Sequence, residues 1–90
     1  MKILYEKSFY RDLEKIESKR IRAALLSLIR HIKASQNPQE IPGLKKLKGS
    51  KNYYRIRLRD YRLGLKIEKD TVTLIRFLSR KDIYRKFPPR

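Results

Sequence analysis

The chain has 90 residues, with 25 Lys and Arg against 9 Asp and Glu, a formal net charge of +16, one histidine and no cysteine. That length leaves room for one domain with a modest core, and the charge exceeds what solubility requires and implies an acidic partner, nucleic acid first. Without cysteine there is no disulfide or thiolate metal site, and His31 alone builds neither a zinc centre nor a Ser-His-Asp arrangement, so no metal or cofactor is expected and any chemistry falls to Arg, Lys, Tyr and carboxylates.

Residues 2 to 6, Lys-Ile-Leu-Tyr-Glu, alternate as a short strand, with Ile3 and Tyr5 on one side and Leu4 on the other. Ser8 is placed to cap a first helix in which Phe9, Leu13 and Ile16 recur at i, i+4 and i+7, ending near Glu17. Ser18 is placed to cap a longer second helix whose apolar stripe is Ile21, Leu25, Leu28 and Ile32, widened by Ala24 and Ile29. Lys19, Arg20, Arg22, Arg30 and Lys33 then face water or a partner, and the lone His31 reads as a surface residue. Two prolines, Asn37 and Gly43 make a loop of residues 35 to 43. The following Leu-Lys-Lys-Leu-Lys-Gly-Ser-Lys reads as a basic approach in which Leu44 and Leu47 anchor a turn while Lys45, Lys46, Lys48 and Lys51 project.

The most informative stretch is Tyr53 to Arg62. Alternation places Tyr54, Ile56 and Leu58 on one face of a strand and Arg55, Arg57 and Arg59 on the other. Past a tight connection near Asp60, Tyr61, Leu63, Leu65 and Ile67 alternate with Arg62, Gly64, Lys66 and Glu68. A solvated polar face would accept any polar residues, but here the outward positions are nearly all cationic and oppose one another, which favours binding of phosphate. Lys69-Asp70 is a turn signal, and Thr71 to Leu78 reads as a strand covered on both sides, Val72 and Leu74 on one face, Ile75 and Phe77 near the other, with Arg76 at the edge of a face. A basic-aromatic tail follows, pinned by Ile83 and Phe87 and stopped by Pro88 and Pro89.

The expected fold class is α+β: strand, helix, helix, strand, strand, strand, with both helices packed on one face of a small, mostly antiparallel four-stranded sheet and the arginines on the uncovered face. No membrane association is expected, since no apolar run approaches the ~20 residues of a spanning helix, and Met1 to Glu6 forms no secretory segment, so the protein is expected in the cytoplasm.

This element order, the Leu-Lys-Gly of residues 47 to 49, the Tyr-Arg-Ile-Arg-Leu-Arg-Asp-Tyr-Arg-Leu of 54 to 63 and the Ser-Arg-Lys-Asp-Ile-Tyr-Arg of 79 to 85 together resemble the RelE/ParE superfamily of bacterial toxin–antitoxin systems across essentially the whole chain. The resemblance implies a single toxin domain over residues 1 to 90. For the RelE-like branch it implies a metal-independent, ribosome-dependent endonuclease that cuts messenger RNA in the ribosomal A site, and for the ParE-like branch an inhibitor of DNA gyrase without nuclease activity. Fold alone does not separate them. Carried over position by position, the RelE-like catalytic set falls on Arg55, Arg57, Arg62, then Arg80 or Lys81, and Tyr84, with Lys45, Lys46, Lys48, Lys51 and Arg59 as further RNA contacts. The resemblance also implies an acidic, RelB-like antitoxin, with the ribosome and mRNA as the other partners. Attack of a ribose 2′-hydroxyl on the adjacent phosphodiester would leave a 2′,3′-cyclic phosphate. Where RelE-like sites carry lysines on the first strand this chain has Arg55 and Arg57, which are poor general bases. Either another group takes the 2′-hydroxyl proton or electrostatic stabilisation carries most of the effect, and the resemblance leaves Tyr84 to stack on a nucleobase or to take part in proton transfer.

Overall fold

The computed structural model describes residues 1–89. The elements are β1 (Lys2–Tyr5), α1 (Lys7–Glu14), α2 (Lys19–Ala34), a short 3-10 turn (Pro38–Glu40), β2 (Leu44–Lys46), β3 (Tyr53–Leu58), β4 (Tyr61–Glu68), β5 (Thr71–Ser79) and α3 (Arg80–Lys86). The five strands order as β1-β5-β4-β3-β2, with β1 parallel to β5 and every other pair antiparallel. The α+β class and the mostly antiparallel sheet agree with expectation, but the sheet has five strands rather than four. The added strand is β2, three residues long, and its Leu-Lys-Lys carries too short an alternation to signal a strand on its own. Its pairing with β3 makes it one.

The main core lies between α1 and α2 and one face of the sheet. Phe9 of α1, Leu25, Leu28, Ile29 and Ile32 of α2, Ile56 of β3, Leu63, Leu65 and Ile67 of β4, and Val72, Leu74 and Phe77 of β5 are buried together. The two alternating runs around Asp60 therefore point as their period demands, each fully buried aliphatic side chain contributing roughly 1.5–3 kcal/mol. Ser18 caps α2 through its side-chain oxygen, which accepts from the Ile21 N–H at 3.2 Å. Arg22 reaches back to the carbonyls of Ile16 at 2.6 Å and Leu13 at 2.8 Å, tying the start of α2 to the chain leaving α1. Ser8 is no cap. Glu6 holds the N-cap position, and the Ser8 hydroxyl instead donates to the Ile75 carbonyl at 2.6 Å, tying α1 to β5.

A one-residue irregularity decides the outer half of β5. Gly64 pairs with Arg76 but Leu65 pairs with Leu74, leaving Ile75 as the extra residue. Phe77 thereby joins Val72 and Leu74 in the main core, and Ile75 and Arg76 go to the other face. The strict parity read from sequence put Phe77 on the wrong side because a bulge resets it.

The face opposite α1 and α2, expected to be uncovered, is not. The basic tail forms α3, capped by the Ser79 side-chain oxygen accepting from the Asp82 N–H. Ile83 and Phe87 pack on Ile75, with Leu47, Tyr53 and Leu78 around them. A small second core results, and α3 covers only part of this face. Among the described residues no helix is long and apolar enough to cross a membrane.

Candidate nucleic-acid interface

On the α3 side of the sheet, Lys45, Arg55, Gly64 and Arg76 stand side by side across β2, β3, β4 and β5. One row along, Arg57 faces Arg62 directly. Opposed like charges cost free energy in a bare sheet. The hairpin accepts that cost because the opposite side of the same strands carries the core residues Ile56 and Leu63, which fix the register.

Arg62 is the innermost of these cations, only 7% exposed. Its Nη1 donates to the carbonyls of Arg59 at 3.0 Å and Tyr61 at 2.9 Å, so the β3–β4 turn holds the guanidinium in place. Burial lowers its pKa from the usual guanidinium value, followed by the charge of Arg57 and more weakly by those of Arg55 and Arg80, while Tyr84 opposes them. An anion beside Arg62 would reverse that penalty.

Tyr84 enters from α3 and is 66% exposed. Its hydroxyl accepts a hydrogen bond from Arg55 Nη1 at 3.0 Å, and Arg55 Cζ lies 5.5 Å from the centre of the ring. The Arg55 hydrogen bond, then the Arg55 charge, lower the phenol's pKa, with Arg62 and Arg80 adding to the shift. An exposed phenol stabilised as its phenolate is a candidate proton acceptor.

These side chains line a concavity of about 460 Å³ whose walls are Ile41, Gly43, Leu44, Lys45, Arg55, Arg57, Arg62 and Tyr84. Four cations and one phenol converge on a space suited to a phosphodiester and its flanking groups, and guanidinium forks match phosphate oxygens in pairs. Ile41, Gly43 and Leu44 were not singled out from sequence as part of the site. The signal for them was the Pro42-Gly43 pair ahead of a Leu-Lys alternation, with Gly43 at φ 72 making the bend that brings the chain to the rim.

The remaining candidates are placed less uniformly. Arg80 starts α3, its backbone N–H donating to the Asp60 carbonyl at 2.9 Å, and its charge acts on both Arg62 and Tyr84. Lys81 is exposed and is not among the charges acting on either. Arg59 sits in the turn at φ 55 rather than on the strand face, and its carbonyl, as the anchor of Arg62, is what meets the site. Lys46 pairs with Tyr54 and so lies on the opposite sheet face from Lys45, while Lys48 and Lys51 are exposed in the β2–β3 loop outside the concavity.

Comparison with known proteins gives a consistent picture. Residues 3–84 match the family described as ParE toxin of type II toxin-antitoxin system, parDE. Toxin RelE3 of Methanocaldococcus jannaschii is 38% identical over 89 residues, covering 98% of this chain and 100% of that protein. Among solved structures, the RelB-RelE antitoxin-toxin complex from Methanococcus jannaschii contains a chain that superposes with a TM-score of 0.80 at 36% identity, covering 94% of this chain and 99% of that one. The toxin-antitoxin complex RelBE2 from Mycobacterium tuberculosis matches with a TM-score of 0.69 at 26% identity over 88% of this chain and 90% of that one.

Proposed function

The chain belongs to the RelE/ParE superfamily as a RelE-like toxin of a type II toxin–antitoxin system, and on that premise we propose that it is a metal-independent, ribosome-dependent endonuclease that cuts messenger RNA in the ribosomal A site. The observation that carries this reading is the convergence of Arg55, Arg57, Arg62 and Tyr84 on one concavity. A protein acting only through protein contacts has no need for a phenol hydrogen-bonded to an arginine beside two opposed guanidinium groups. Residues 1–90 act as one toxin domain in the cytoplasm.

In the proposed reaction the 2′-oxygen forms a bond to phosphorus as the bond from phosphorus to the 5′-oxygen breaks, leaving a 2′,3′-cyclic phosphate and a 5′-hydroxyl. Tyr84, as its phenolate, takes the 2′-hydroxyl proton, which resolves the poor basicity of Arg55 and Arg57. Arg57 and Arg62 stabilise the charge that develops on the equatorial oxygens. Arg55 holds Tyr84 and aligns substrate, and Arg80, in preference to Lys81, steadies the leaving oxygen, which takes its proton from water. Lys45 extends the phosphate contacts at the rim, and Lys46, Lys48, Lys51, Arg59 and the exposed basic side of α2 add salt-dependent contacts to ribosomal RNA. The partner in the resting state is an acidic, RelB-like antitoxin, as the solved complexes of similar chains suggest.

The test is to add purified protein to programmed ribosomes and map messenger ends, with gyrase supercoiling measured in parallel. Cuts within the A-site codon ending in cyclic phosphate support the proposal. The matched family's ParE description favours a second reading, a gyrase inhibitor; intact messenger together with blocked supercoiling would select it.

A further inference from the structure

Gly64 is the one small residue in a cross-strand row that otherwise holds three cations, and it lies between Arg55 of β3 and Arg76 of β5. Phe87 fills the space above it. A Cβ added at Gly64 would lie 2.9 Å from Cγ, Cδ1 and Cδ2 of the Phe87 ring, closer than carbon atoms pack. All three are at the base of the ring, so no small swing of a flexible tip relieves the clash. The φ of Gly64 lies outside the left-handed region, so its backbone conformation does not require glycine. What requires glycine is the ring.

Phe87 in turn fixes α3. It is 6% exposed, meets Tyr53 edge-on at 5.6 Å and 86°, and closes the helix through its N–H to the Ile83 carbonyl at 2.9 Å. Tyr84 lies three residues earlier, on the exposed side of the same short helix. The ring also parts two neighbours in the row: Arg76 turns to Asp12 and Arg55 to Tyr84.

We propose that Gly64 is a positioning residue whose missing side chain seats Phe87, setting α3 low enough on the sheet for Tyr84 to reach Arg55 and overhang the basin. The inference rests on the nuclease reading only for its effect on catalysis; the seat itself is a property of the free protein.

The test compares wild type, Gly64→Ala, and Gly64→Ala combined with Phe87→Leu, each against its Tyr84→Phe counterpart so that the difference in alkaline absorbance reports Tyr84 ionisation alone. Wild-type Tyr84 should titrate below the usual phenol value of about 10. Gly64→Ala should move that titration upward, and the smaller side chain at 87 should bring it back, with circular dichroism confirming folded protein throughout. On programmed ribosomes Gly64→Ala should lower kcat by up to about 10²-fold and shift the pH–rate profile to higher pH with KM little changed. Should Gly64→Ala fail to fold, Phe87→Ala, which keeps the glycine and removes the ring, should raise the Tyr84 titration in the same way. A Tyr84 titration indifferent to these changes, or unrecovered in the folded double variant, overturns the seat. A titration that follows Gly64 in a protein inert on ribosomes supports the seat and defeats the nuclease reading instead.

Discussion

Arg62 and Arg76 stand on adjacent strands and the same sheet face, and they meet opposite fates. Arg76 has a dedicated partner: its Nε and Nη2 each donate to an Asp12 carboxylate oxygen at 2.8 Å, and Asp12, 3% exposed, also accepts the Phe77 N–H at 2.9 Å. The side-chain hydrogen bonding to Asp12 and the Asp12 charge raise the Arg76 pKa against the opposing effect of burial. Among the described residues Arg62 has only backbone carbonyls as partners, faces Arg57 across the strands, and its pKa is lowered. One guanidinium is satisfied within the fold. The other keeps its electrostatic demand for a ligand, and the contrast separates an arginine that builds the protein from one that serves its surface.

The widest break in that contrast should come from Arg76→Ala. Leaving Asp12 buried without its cation should cost about 3–5 kcal/mol of stability by urea denaturation, a large share of the ~5–15 kcal/mol a small domain possesses. Arg62→Met should instead change stability by no more than about 1 kcal/mol, since two hydrogen bonds are lost while like-charge repulsion is relieved. Its deficit should appear on ribosomes, as a fall of about 10²–10³ in cleavage rate, equivalent to ~2.7–4 kcal/mol of transition-state stabilisation. Inorganic phosphate should raise wild-type stability by about 2.7 kcal/mol at one hundred times its dissociation constant. The effect should shrink in Arg57→Ala and persist in Asp12→Asn, as thermal melts over a phosphate series would show. The smallest expected effect is a displacement along the pH axis. On the proposed reaction, in which Tyr84 acts as a phenolate, cleavage should rise with pH and level off above the Tyr84 pKa, which lies below its usual value. Arg55→Gln removes the main cause of that lowering, so the rise should move to higher pH, read from single-turnover rates at several pH values.

Much of this was legible in the chain. The alternation through Tyr54, Ile56 and Leu58 and through Leu63, Leu65 and Ile67 specified a hairpin with one buried face, and the parity of Arg55, Arg57 and Arg62 then followed without further information. What stayed hidden depended on contacts distant in sequence. β2 is a strand because Leu44, Lys45 and Lys46 find Ile56, Arg55 and Tyr54. The Ile83 and Phe87 spacing signalled an anchored tail, but that it roofs part of the cationic face depends on Ile75, Leu47 and Tyr53, with Gly64 beneath the Phe87 ring. Asp12 lies within α1, and its bond to Arg76, 64 positions away, carries no local signature.

The bond from Asp12 to Phe77 also has a meaning for life in a crowded cell. β1 accompanies β5 only from Thr71 to Leu74, so the rest of that border would otherwise offer free amide groups to any passing extended chain. A carboxylate on α1 occupies the Phe77 amide, and the Ser8 hydroxyl occupies the Ile75 carbonyl. The border is thus shut by side chains rather than by another strand, which guards the protein against fibrous self-association when it accumulates unaccompanied.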